Sequence, residues 1–258
     1  MNHETIRVFI FFIILFCCLS GEFFIPYLKR NYKKRLLINF LFLLSGILFL
    51  KICFPNGLLE MTNKFLAMDR NLSLAKLPWG LDLILTLLIF DFAIYWQHRF
   101  FHMIKPLWKY HAVHHSDKSL DFSTALRFHP GEIVLSGAYK MILLYIFIPR
   151  LESFFIYEIF LNSMAIFNHS NIHLPKRWDY YLRFIIVTPA MHFPHHSPKK
   201  NLTNSNYGNV FSFWDRIFKT YTRQENSVFG LKEYTHKDLN SFWSQFFSPF
   251  SKEFKDQS

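Results

Sequence analysis

Ten histidines fall between His98 and His196 in four tight clusters, and any fold for this chain has to bring them somewhere together. The clusters are His98 and His102; His111, His114 and His115; His169 and His173; and His192, His195 and His196. Positions three or four apart share one face of a helix, so each cluster can aim two or three rings at one point. Neutral imidazole is the commonest metal ligand and suits iron, zinc, copper or nickel. Ten rings exceed what one ion takes. They fit two ions with about five each, leaving positions open to a small molecule.

The rest of the chain reads as a membrane protein. Apolar residues make up 51% and aromatic residues 20%, with 33 Phe. Residues 5–27 are long and apolar enough to cross a bilayer, and no small-x-small cleavage pattern follows them. Lys29, Arg30, Lys33, Lys34 and Arg35 come next, then a second apolar run from Leu36 to Leu50. A short basic loop between two spans marks the cytoplasmic side, which places the N-terminus outside. The formal charge of +11 is therefore assigned to an anionic membrane surface and not to nucleic acid. Cys17, Cys18 and Cys53 form no metal-binding or disulfide pattern.

Residues 51–77 read as a polar outer loop. A third span begins near Pro78 and delivers His98 and His102 to the cytoplasmic interface. Asp91 and Tyr95 lie on the same stripe as those two histidines. A carboxylate within a span is costly, so Asp91 is expected to steady a ligating imidazole; pairing with Arg99 is the plainer alternative. His129-Pro130-Gly131 is followed by Glu132 where the haem pattern of cytochrome b5 has glycine, so His129 reads as a supporting residue. Residues 133–148 and 151–167 read as a hairpin that dips into or crosses the membrane and returns to the cytoplasmic side at His169. Glu132, Glu152 and Glu158 read as lying away from the histidine clusters. Residues 180–188 suggest an interfacial amphipathic helix. Pro189 and Pro194 flank the last cluster and favour helix starts there. His3 and His236 read as solvated surface.

The expected fold is all-α and integral to the membrane: four to five transmembrane or re-entrant helices with a cytoplasmic helical cap that carries the histidines. Three units are expected: N-terminal helices and loop over 1–77, a histidine-bearing domain over 78–222, and a cytoplasmic tail over 223–258.

The order HxxxH, HxxHH, HxxHH is accompanied by Tyr95-Trp96-x-His98-Arg99, Arg127-x-His129-Pro130, Asn168-His169-Ser170-Asn171, Asn206-Tyr207-Gly208 and Trp214-Asp215-Arg216. In these features residues 80–222 resemble the fatty acid hydroxylase / sterol desaturase superfamily of membrane di-metal oxygenases. The resemblance implies that His98, His102, His111, His114, His115, His169, His173, His192, His195 and His196 are metal ligands. Asp91, Tyr95 and His129 are expected to support them. Lys219 departs from the pattern, since many members carry glycine there.

The implied activity is hydroxylation or desaturation of a fatty acyl or sterol-like lipid by two iron ions, with zinc able to occupy the site as isolated. Iron has the redox chemistry that an unactivated C–H bond demands, and zinc has none. The chain carries no flavin or dinucleotide fingerprint and no cysteine set for an iron–sulfur cluster. Electrons are therefore expected from a separate ferredoxin, rubredoxin or cytochrome b5 with its reductase, docked on the basic face. The bacterial inner membrane and the endoplasmic reticulum both suit the pattern. The competing reading is a histidine-rich metal-binding or transport protein without oxygenase activity, which would spread its histidines along a span near the midplane.

Overall fold

The structure, a computed structural model, describes residues 3–28, 33–71, 73–224, 228–231 and 241–251. It is helical throughout, and the described residues contain two isolated β-bridges and no strand. The long helices are α1 (His3–Phe24), α2 (Lys33–Cys53), α4 (Trp79–Met103), α6 (Pro130–Phe147) and α7 (Leu151–His169), with a shorter α3 (Gly57–Leu66) and α5 (Lys105–His115). Four stretches are long and apolar enough to cross a membrane: Thr5–Phe24, Arg35–Leu66, Trp79–Met103 and Pro130–Phe147. Their outward faces carry large apolar side chains such as Phe12, Phe16, Leu48 and Ile84, as helices exposed to hydrocarbon do.

The helices differ in direction relative to the histidines. α4 and α7 both run toward the histidine end, and α6 runs away from it. At the opposite end Asp82 on α4 accepts from the Arg150 amide at 3.3 Å and from the Ser153 hydroxyl, which joins α4 to the α6–α7 corner. Ile148 turns that corner with φ +41° ahead of Pro149, which cannot continue a helix. The expected hairpin is thus present. Close packing holds α2 on α6: a Cβ on Gly137 would sit 2.7 Å from Leu50 Cδ1.

Three local expectations change. Residues 57–66 are helical, because Leu58, Leu59, Met61, Phe65 and Leu66 form an apolar stripe against Leu143, Leu144 and Ile148. His3 packs edge-on against Phe155, ring centroids 4.8 Å apart, and is half-buried; His236 lies outside the described residues. The segment 180–188 is helical only at its start, in α8 (Lys176–Leu182), and exposes Tyr180, Tyr181, Phe184 and Ile185.

At the histidine end a polar cap is locked down by two arginines. Arg35 on α2 bridges Asp117 and Asp121, each at 2.6 Å. Burial would raise the Asp117 carboxyl, but the adjacent Arg35 guanidinium and its hydrogen bonds hold it down at about 2. Arg127 is buried and donates to Val113 O at 3.0 Å, Asn39 Oδ1 at 2.9 Å, Ser116 Oγ at 3.0 Å and Gln245 Oε1. Residues around Gln245, read from sequence as tail, therefore pack onto the cap and brace the end of α5.

Candidate metal centre

Nine of the ten histidines converge. His98 and His102 project from the last turns of α4, one turn apart, and His111, His114 and His115 from the end of α5. His169 is the final residue of α7. His192 ends the short helix α9 (Pro189–His192), which Thr188 caps, and His195 and His196 follow in a 3-10 turn. The prolines at 189 and 194 each stand in the first turn of these elements, as their spacing predicts.

The rings sort into two adjacent groups. His98, His102, His111, His115 and His195 form one, and His114, His169, His192 and His196 the other. Within each group the ligand atoms lie within 4.8 Å of one another. The contacts are between Nε2 atoms. His98 meets His195 at 2.9 Å and His111 at 3.1 Å, and His111 meets His115 at 3.1 Å. In the second group His169 meets His114 at 2.9 Å and His192 at 3.1 Å, and His192 meets His196 at 3.2 Å.

Hydrogen bonds at the far side of the rings decide what those Nε2 atoms carry. His98 Nδ1 donates to Tyr207 O at 2.8 Å, His195 Nδ1 to Ser205 O at 2.7 Å, and His169 Nδ1 to Ala165 O at 2.7 Å. His111 Nδ1 faces Glu132 Oε1 at 2.8 Å. Carbonyl and carboxylate oxygens only accept, so each of these rings is protonated at Nδ1 and presents a bare lone pair at Nε2. Lone pairs of His98, His111 and His195 thus face one another at about 3 Å. That arrangement repels unless a cation lies between them. Two nitrogens at right angles on an ion ~2.1 Å away stand about 3 Å apart, which is the spacing present. Burial, together with neighbouring imidazoles, pushes His114, His115, His192 and His196 well below the ordinary histidine value, so these rings are neutral donors too. The residues fit two metal ions, with five nitrogens for one and four for the other.

His173 does not join them. The helix ends at His169, and Ser170 takes an extended conformation (φ −63°, ψ 145°), so a residue four places on no longer shares its face. His173 is exposed, its amide donates to Ile25 O at 2.8 Å, and its ring packs against Tyr27.

The three expected supporting residues act differently from the expectation. Asp91 contacts neither an imidazole nor Arg99. It accepts from Val210 N at 3.2 Å, Phe211 N at 3.0 Å and Trp214 Nε1 at 2.9 Å. Arg99 lies over the Trp96 ring. Tyr95 bonds Thr220 Oγ1 at 2.8 Å. His129 caps α6 by accepting from Gly131 N at 3.0 Å, and its Nε2 donates to Phe246 O at 2.9 Å. Asp91 and Asp215 together clamp the loop that presents Tyr207 O to His98. Asp215 accepts from Tyr207 N at 2.8 Å and Gly208 N at 2.9 Å, while burial pushes its carboxyl up to about 6 against those hydrogen bonds. Glu132, read from sequence as remote, is a carboxylate that bonds a clustered ring, His111. A carboxylate in the first turn of an otherwise apolar helix was the available signal. Main-chain carbonyls of Ala165, Ser205 and Tyr207 leave no mark in a side-chain pattern.

Two cavities reach the centre. One, of about 280 Å³, is mainly apolar and lies among α2, α4, α6 and α7. Phe42, Ile47, Leu50 and Phe101 line it, and it touches His98, His111, His114, His169 and His192. The other, of about 630 Å³, has a mixed lining that includes Arg99, Lys105, Trp108, Lys200 and His102.

The family model described as fatty acid hydroxylase matches residues 83–220. Alkylglycerol monooxygenase of Homo sapiens is 30% identical over 193 residues, covering 71% of this chain and 40% of that protein. Ornithine lipid hydroxylase OlsE of Rhizobium tropici is 29% identical over 179 residues, 68% of this chain and 52% of that protein. Delta(7)-sterol-C5(6)-desaturase of Nicotiana tabacum is 32% identical over 139 residues, 52% of this chain and 47% of that protein. The chain spans about half or less of the length of these relatives. No solved structure matches it.

Proposed function

Because this chain belongs to the fatty acid hydroxylase family, we propose that it is a membrane oxidoreductase that uses dioxygen to hydroxylate or desaturate the hydrocarbon part of a lipid. The observation that carries the reading is the opposed Nε2 lone pairs of His98, His111 and His195, held by Nδ1 bonds to Tyr207 O, Glu132 and Ser205 O. The relatives named above, each a lipid monooxygenase, hydroxylase or desaturase by its name, support it.

The nine converging nitrogens are the proposed ligands, and iron is the proposed metal. Two irons so held would supply the oxidising power that an unactivated C–H bond requires, which zinc lacks. The protein supplies placement. Carbonyls and Glu132 fix the ring tautomers, and the Asp91 and Asp215 clamps keep the Tyr207 carbonyl in position. The apolar cavity holds a hydrocarbon chain beside five of the nine rings and keeps water from it. Its wall carries three polar features that break the apolar lining: Gln97 bonded to Ser136, Lys140, which pairs with Glu158 at 2.7 Å, and Asn162. No side chain is assigned to acid–base chemistry. A separate electron carrier completes the stoichiometry with two electrons, taken up with two protons: hydroxylation then yields one water, and desaturation, in which the lipid gives up two further hydrogens, yields two.

A cytoplasmic histidine end is part of this reading, supported by the basic residues Lys33, Lys34 and Arg35 at the start of α2. Detergent-purified protein from iron-supplemented cells tests the proposal by metal analysis and Mössbauer spectroscopy, followed by ¹⁸O₂ incorporation into lipid extracts with an added reductase system. About two coupled irons per chain and labelled or desaturated lipid are expected. Protein that is folded yet binds only zinc that iron cannot replace, or no metal, overturns it.

A further inference from the structure

The apolar cavity accounts for one face of the α4 end. Another face borders the 630 Å³ cavity, whose lining is mixed, and nothing so far uses it. Arg99, Lys105 and Lys200 line this cavity together with Asn204, Tyr207 and His102. Three of its described lining residues are cations and none is acidic. Surface lysines at the end of a span commonly extend toward water and need no ligand. Here, however, the cations come from separate stretches of chain, α4, α5 and the segment after the last histidines, and surround one concavity.

Its height in the fold is informative. α4 is a membrane span that ends at Met103, and Phe100, Met103 and Ile104 beside the cavity are exposed apolar residues. A concavity at a span end lies at the level of lipid headgroups, with hydrocarbon-compatible side chains on one side and cations on the other. Guanidinium and ammonium groups with adjacent amide and phenol groups are the donor set for a phosphate oxyanion. We propose that this cavity is a phosphate-binding site that takes the headgroup of an anionic lipid, and it borders the five-histidine group at His102. The site does not depend on the oxygenase reading and goes beyond it.

Calorimetry on the purified full-length protein in neutral detergent and phosphate-free buffer tests this. The probes are dihexanoyl phosphatidic acid, neutral dihexanoylglycerol and inorganic phosphate. Phosphatidic acid should bind at least about tenfold tighter than the neutral analogue. Lys105→Ala/Lys200→Ala should weaken it about 20-fold, since each cation near a lipid surface contributes about a factor of five. Lys199→Ala removes a neighbouring exposed charge that does not line the cavity and should change affinity less than twofold. Lys200→Gln alone, on an exposed side chain, should give a loss of several-fold even if the double variant is poorly folded. Unchanged metal content in each variant certifies an intact centre and separates this result from failure of the oxygenase reading. Inorganic phosphate that binds as tightly as phosphatidic acid, with the same lysine dependence, keeps the phosphate site but assigns it to a water-borne phosphate. No preference for phosphatidic acid over the neutral analogue, or equal losses in Lys199→Ala and Lys200→Gln, overturns the proposal.

Discussion

Glu132 Oε1 lies 2.8 Å from Nδ1 of His111, and this single contact joins the first turn of α6 to the five-histidine group. It fixes the tautomer of His111 and makes its Nε2 more basic. Glu132→Gln is expected to weaken metal at the five-histidine site about 10- to 100-fold, as read by competition with a chelator. The four-histidine site should be little changed. An affinity at the five-histidine site unchanged from the wild type would show that the carboxylate has no part in holding metal.

His169 and His173 separate a clustered histidine from an exposed one. His169→Ala should remove metal from the four-histidine group, whereas His173→Ala should retain the full metal content. Mass-spectrometric metal analysis of the two variants decides it. Loss of metal in His173→Ala would reinstate the tenth ligand.

Asp91 satisfies three donors in a buried place. Asp91→Leu leaves them without an acceptor, at a cost of about 1–3 kcal/mol for each unpaired group. A large drop in melting temperature is expected, with weakened metal binding because the loop presenting Tyr207 O is freed. A variant that melts like the wild type would deny the clamp.

Lys219 adopts φ +58°, a left-handed conformation that carries a steric penalty for any residue with a Cβ. Lys219→Gly is expected to stabilise the protein by about 1 kcal/mol, the relief of strain less the added freedom of the unfolded chain. Thermal melting of the variant measures the difference, and destabilisation would contradict it.

Asp117 links stability to acid. Its folded value of about 2 lies below the ordinary 3.8, so the Arg35 pair contributes fully above about pH 4. That contribution is lost as pH falls through the folded value, and it amounts to roughly 2 kcal/mol. The stability gap between the wild type and Asp117→Asn should therefore be widest near neutral pH and narrow toward pH 3. A gap independent of pH would exclude the ion pair as its source.

The histidine spacing alone determined that α4, α5 and the 189–196 segment each present rings on one face, because three- and four-residue intervals return to the same side of a helical turn. The apolar runs determined the spans and the hairpin, because a backbone in hydrocarbon has to satisfy its own hydrogen bonds. Tertiary structure decided the rest. Whether His173 continued the face of His169 depended on where α7 stopped, and the extended Ser170 stopped it. Asp91 stood out in sequence as a buried carboxylate, yet its donors come from residues 210–214, more than a hundred positions later. The division into five and four rings, the carbonyls behind them and the contact of Glu132 with His111 all join distant segments. Their side-chain chemistry is legible in the sequence, but the distances between them exist only once the helices have packed.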